Sequence, residues 1–141
     1  MVRTWMAAAA GVMVGAVGMG FAAPHEHGER VRTISSREIQ EKVNGKESAV
    51  TAVEVTIGPG EAGDSHRHPG PGFVYVLEGE YELGIDDQPT KRFKAGETFY
   101  EPTGCLHRVS KNPAKEGTTR LIAFVVHPRD VKEIAVPEPR K

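Results

Sequence analysis

Glycine and proline interrupt this chain too often for long helices to run through it. Of its 141 residues, 16 are glycine and 10 are proline, and every proline and all but four of the glycines fall after residue 22. Breakers at that density leave segments of roughly five to ten residues, the length of strands. The pattern inside the segments agrees. From Ser48 to Ile57, the side chains of Thr51, Val53, Val55 and Ile57 share one face, and Gly58-Pro59-Gly60 ends the run. Phe73 to Leu77 is apolar on both faces, so that strand should be covered on both sides. Tyr81 to Ile85 ends in the turn Asp86-Asp87-Gln88-Pro89. Thr90 to Lys94 and Glu97 to Glu101 are separated by Ala95-Gly96, and Cys105 to Ser110 and Thr119 to His127 follow. Only Ser36 to Val43 (SREIQEKV) has helical character. Together these segments describe an all-β sandwich or barrel.

The beginning of the chain follows different rules. Arg3 gives a short positive start, and Met6 to Ala23 is an uncharged run of 18 residues dominated by small side chains. As a helix it would span about 27 Å, marginal for a bilayer. Gly20 and Ala22 suit the −3 and −1 positions of signal-peptidase cleavage. The expected organisation is a signal peptide over 1–22, an N-terminal arm with a short strand or helix over 23–47, a barrel over 48–127, and a loose or partner-draping tail over 128–141. Such a protein is exported, periplasmic or secreted, and has no stable membrane anchor. Cys105 is the only cysteine, so no intrachain disulfide can form. Lys and Arg number 18 against 19 Asp and Glu, a net charge of −1, which leaves no basic footprint for a phosphate backbone and excludes nucleic acid as the expected partner.

Two stretches carry chemistry. In Gly60-x5-His66-x-His68, residues i and i+2 of an extended chain point to one side, so both imidazoles can address one point. In Gly96-x5-Pro102-x-Gly104-x2-His107, a breaker-rich turn feeds the strand that carries a third imidazole. Three such groups from two segments make a candidate divalent-metal site.

The stretches GEAGDSHRHPGPGFVYVLEGE and GETFYEPTGCLHRVSKN resemble the two motifs of the cupin superfamily, and the resemblance runs over about residues 50 to 126. It implies a double-stranded β-helix, a small jelly-roll barrel with a divalent metal near one end of its interior. By position it assigns the histidine ligands to His66, His68 and His107. One departure matters. The glutamate that the family usually carries four residues after its second histidine is Gly72 here. Glu78 and Glu80 lie too far along to substitute, and the terminal asparagine of the second motif is displaced, with Lys111 at its spacing and Asn112 beside it. The expected ligand set is three neutral imidazoles and water. Without a carboxylate the dication keeps its full charge, a stronger Lewis acid that favours anionic chelating ligands. Imidazoles accept Fe, Mn, Ni, Cu, Co or Zn, so the sequence does not name the ion.

Other titratable groups are expected to be structural. His127 reads as a surface residue, Cys105 as a buried thiol, and Glu101, Tyr75 and Tyr100 as core or rim packing rather than acid/base groups. His25 and His27 stand at the new N-terminus, where Pro24 lacks the amide that Cu(II) chelation needs. The resemblance implies a small-molecule enzyme of dioxygenase-like type, since three-histidine cupins include dioxygenases acting on diketones and thiols, and flavonol-cleaving ones share the barrel. A non-catalytic metal or small-ligand binding module and a Lewis-acid hydrolase or isomerase stand as alternatives. The two-sided apolar strand Phe73 to Leu77 suggests a homodimer.

Overall fold

The computed structural model describes residues 28–139. The expected signal peptide over 1–22, His25, His27 and the last two residues of the tail lie outside them. The described chain forms ten strands: β1 (Glu29–Val43), β2 (Lys46–Ile57), β3 (His66–Arg67), β4 (Gly72–Glu78), β5 (Glu80–Ile85), β6 (Lys91–Lys94), β7 (Thr98–Glu101), β8 (Leu106–Lys111), β9 (Thr119–Pro128) and β10 (Val136–Pro137). Among these residues no helix is long and apolar enough to cross a membrane. The strands lie in two five-stranded antiparallel sheets, ordered β1-β2-β9-β4-β7 and β10-β3-β8-β5-β6. This is the double-stranded β-helix that the sequence resemblance implies.

Alternation drives the packing. Thr51, Val53, Val55 and Ile57 of β2 are all buried, on the face expected from their spacing. Val53, Val55 and Ile57 join Val74 and Val76 of β4, Tyr81 and Leu83 of β5, and Leu121 and Ala123 of β9 in one core. Each of the valine, leucine and isoleucine side chains contributes about 1.5–3 kcal/mol when fully buried.

Three expectations are corrected. Ser36 to Val43 is strand, the second half of β1, paired with β2. Its propensity is helical, but β2 presents an open ladder and tertiary pairing overrides a weak local preference. The tail is not loose: Val136 and Pro137 pair with Arg67 and His66, and Arg67 Nε donates to Glu138 Oε2 at 2.9 Å. His127 is not a surface residue but 6% exposed. It ends β9 facing inward, where its Nδ1–H donates to the Pro128 carbonyl oxygen and its Nε2 accepts from Thr51 Oγ1 at 2.8 Å. Thr51 in turn accepts from Ser36 Oγ, so the chain of hydrogen bonds ties β9 to β2 and β1.

The loop His68-Pro69-Gly70-Pro71 carries the chain from one sheet to the other across β9. A Cβ at Gly70 would overlap the Val126 carbonyl oxygen, while the Val126 amide donates to the Pro71 oxygen at 3.0 Å. Only glycine allows that approach. Asn112 is a staple of the same sort: it is 1% exposed, and its Nδ2 donates to the Ile57 and Gly117 carbonyls while its Oδ1 accepts from the Ala114 amide. That structural duty holds the β8–β9 loop.

Thr51→Val keeps the shape of the buried side chain but leaves His127 Nε2 without a partner. The expected cost is about 1–3 kcal/mol, read as a lower urea midpoint at unchanged slope.

Candidate metal centre

One sheet delivers all three histidines. His66 on β3 and His107 on β8 are directly paired residues of the antiparallel ladder, and paired residues face the same side. His68 follows two positions after His66, on the same side again. The three rings stand in a near-equilateral cluster, with centroids 4.6–4.9 Å apart, and one ligand nitrogen from each lies within 4.8 Å of the others. The sequence expectation for His66, His68 and His107 therefore matches a single convergent cluster.

Hydrogen bonds set the tautomers. The Nδ1 atoms of His66 and His68 contact the carbonyl oxygens of Asp64, at 2.8 Å, and of Ile134. A carbonyl only accepts, so both Nδ1 atoms carry the proton and both Nε2 lone pairs are free. His107 is 2% exposed, and its Nε2 is buried with no hydrogen-bond partner among the described residues. Buried polar atoms of that kind call for an explanation, and a metal ligand is one. Burial lowers the pKa of His68, and burial with the neighbouring His66 and His68 lowers that of His107 to about 3. The imidazoles of His68 and His107 are thus neutral, the form a metal requires. The donor set fits a divalent ion.

The sequence reading missed two features of the interior. Glu101, assigned to packing, is 3% exposed and aims its carboxylate at the cluster, with Oε2 3.6 Å from His68 Nε2 and Oε1 3.6 Å from His107 Nε2. Burial, and then the Glu29 charge, push its carboxyl up to about 8. The alternation of β7 carried the signal: Phe99 packs on the core, and Glu101 shares its parity. The second feature is a polar line. Ser110 Oγ donates to Glu29 Oε2 at 2.9 Å and accepts from the Tyr81 hydroxyl at 2.8 Å, and burial raises the Tyr81 pKa.

Tyr75 and Tyr100 are 43% and 53% exposed on the outer side of β4 and β7, away from the cluster. Cys105 is buried, lies outside the histidine cluster, and has its thiol pushed up to about 11, mainly by burial. Its burial is what the sequence led one to expect. The cavity beside the histidines measures about 60 Å³ and is walled by Val53, Val55, Val74, Leu121, Ala123 and Val125, with Glu29, Tyr81 and Ser110 as its polar part. Ile134 and Ala135 of the tail also line it.

Comparison with known proteins agrees with this architecture. A cupin-domain family model matches residues 53–126. The chain is 37% identical over 90 residues to germin-like protein subfamily 2 member 2 of Arabidopsis thaliana, a match covering 60% of this chain and 41% of that protein. It is 30% identical, over the same shares, to subfamily 2 member 4 of the same plant. The chain thus spans about two fifths of the length of these curated relatives. Among solved structures, an uncharacterized conserved protein with a double-stranded beta-helix domain from Klebsiella pneumoniae superposes with a TM-score of 0.58 at 21% identity, covering 83% of this chain and 90% of that one. A conserved protein of unknown function from Streptococcus pyogenes gives 0.53 at 25% identity, with coverages of 74% and 78%. The DMSP lyase DddQ from Ruegeria pomeroyi gives 0.53 at 21% identity, with 64% and 45%. With its barrel, its paired motifs and this family match across more than half its length, the chain belongs to the cupin family.

Proposed function

We propose that this cupin is an exported metal-binding protein that acts on a small oxygen- or sulfur-bearing chelating molecule as a dioxygenase-like enzyme. The observation that carries the metal part is the convergence of three imidazoles around the unpartnered Nε2 of His107. When bound there, a divalent ion supplies Lewis acidity and open positions for a chelating ligand. The chain's own residues do the rest. The Asp64 and Ile134 carbonyls hold the rings of His66 and His68 in orientation, the valine and leucine walls exclude water, and the oxygens of Ser110 and Glu29 offer acceptors to a ligand hydroxyl. Space limits the substrate. About 60 Å³ is far below the roughly 300 Å³ at which pockets for drug-sized molecules begin, so a diketone or thiol of a few non-hydrogen atoms suits the cavity and a flavonol does not.

Metal analysis of the protein from its native compartment tests the reading. About one equivalent of a divalent ion per chain is expected, with His66→Ala and His107→Ala both depleted; equal substoichiometric metal in all three would end the assignment. Oxygen consumption by the loaded protein with small diketones and thiols then separates an enzyme from a binding module, which would consume none.

The tail is part of the site, because its Ile134 carbonyl fixes His68. A chain ending at Lys132 should keep its barrel, judged by circular dichroism, yet bind metal about 10–100-fold more weakly, the usual effect of losing a group that orients a ligand. Unchanged affinity in competition with a chromophoric chelator would refute that role.

We also propose a homodimer through the outer face of β4, β7 and β9. Phe73 pairs with Tyr100 on one side and Phe124 on the other, and the three aromatic rings in this row are 53%, 53% and 46% exposed. The outer face of β1 and β2 differs: there Glu54 binds Arg32 and Arg120. Light scattering should give twice the chain mass at micromolar concentration, and Phe124→Lys should shift the protein toward monomer. A monomeric wild type would remove the proposal.

A further inference from the structure

We propose that Glu101 is the fourth protein ligand of the site, a carboxylate delivered from β7 into the space that Gly72 leaves open on β4. The inference rests on the metal reading above and changes its chemistry.

The register makes the case first. Gly72 and Glu101 are directly paired in the β4–β7 ladder, so their side chains would enter the barrel from neighbouring points on the same face. Sterics make it second. A Cβ built on Gly72 would overlap Glu101 Oε2 and lie only 3.2 Å from the Glu101 Cβ. The two positions exclude each other: a side chain at residue 72 would occupy the volume that the Glu101 carboxylate fills. Gly72 is therefore the complement of Glu101 rather than a simple loss of a ligand.

Distance makes it third. Each carboxylate oxygen stands 3.6 Å from a different imidazole nitrogen, Oε2 from His68 Nε2 and Oε1 from His107 Nε2. That is too long for a hydrogen bond. It suits ligands of a shared ion, since two donors each about 2.1 Å from one metal lie at most about 4.2 Å apart. Both imidazole atoms are the ones left without a protein partner for this purpose: His68 uses its Nδ1 on the Ile134 carbonyl, and His107 Nε2 has no partner.

The consequence is a site of three imidazoles and one carboxylate. The carboxylate cancels one unit of the ion's charge and adds a hard oxygen donor, which moves preference toward Mn and Fe relative to an all-nitrogen set. Charge balance is thus kept at the same place in space by a different strand.

Cobalt(II) binding to the purified full chain tests this without recourse to activity. The visible d–d spectrum and the affinity, by competition with a chromophoric chelator, are compared for wild type, Glu101→Gln, Glu101→Ala, and the exchange variant carrying both Gly72→Glu and Glu101→Ala. Glu101→Gln is nearly isosteric and should fold. It should bind at least about tenfold more weakly with an altered spectrum. The exchange variant should bind more tightly than Glu101→Ala and return the spectrum toward wild type. An unchanged affinity and spectrum in Glu101→Gln would overturn the proposal while leaving the three-histidine site intact, and so would an exchange variant no better than Glu101→Ala. A wild-type protein that takes up no cobalt would instead overturn the metal reading itself, with this inference alongside it.

Discussion

An antiparallel ladder sends directly paired residues to the same face of a sheet, and the interior of this barrel is assembled from two such pairs. His66 faces inward with His107, and Gly72 with Glu101. Because the side-chain period of a strand is two residues, a slip of one position in either ladder would turn these groups out of the barrel. The register is held in turn by burial: Val74 and Val76 beside Gly72, and Phe99 beside Glu101, pack on the core only in the observed pairing. Hydrophobic alternation and the placement of the polar site are one constraint, since the apolar side chains fix the parity that the site inherits.

How far this was legible in the sequence follows from the same constraint. The seven segments from Ser48 to His127 that alternate or are bounded by breakers all became strands, because their signal is local. So did the inward direction of His66, His68 and His107, which needs only the i, i+2 rule and a second motif. What the sequence concealed is pairing. Ser36 to Val43 has the composition of a helix and becomes strand because β2 offers it hydrogen bonds. The tail reads as polar and proline-rich, yet the Ile134 carbonyl and the short β10 give it partners 66 to 71 residues upstream in sequence. Glu101 had an assignable parity from Phe99, but that it lies opposite Gly72 is a fact of register, and no single segment records its neighbour. His127 was read as exposed because it precedes a proline; the Thr51 hydroxyl that satisfies it comes from another strand.

Glu101 also shows how a departure from a motif can be weighed. A ligand position occupied by glycine invites the conclusion that the charge has gone. In space, the question is whether any carboxylate reaches the point that the missing one would have reached. The residues able to do so are few, namely those paired with or adjacent to the vacated position on the same face. Gly72 has two direct partners, Glu101 on β7 and Val125 on β9, and one of them carries a carboxylate. A motif read along the chain tests one route to that point; a ladder tests the others.

The electrostatics of the cavity are compatible with a cation on grounds that owe nothing to motifs. Among the described residues its lining includes two carboxylates, Glu29 and Glu101, and three histidines, but no lysine or arginine. Glu29 is satisfied by Ser110. Glu101 stands against His68 and His107, both held neutral by burial, with the Glu29 charge nearby, and a charged carboxylate in such surroundings is costly unless a cation or a proton accompanies it. Burial, and then the Glu29 charge, accordingly raise its pKa. Three imidazoles and one acid converge where the cavity lining carries no lysine or arginine among the described residues, an arrangement compatible with a divalent cation.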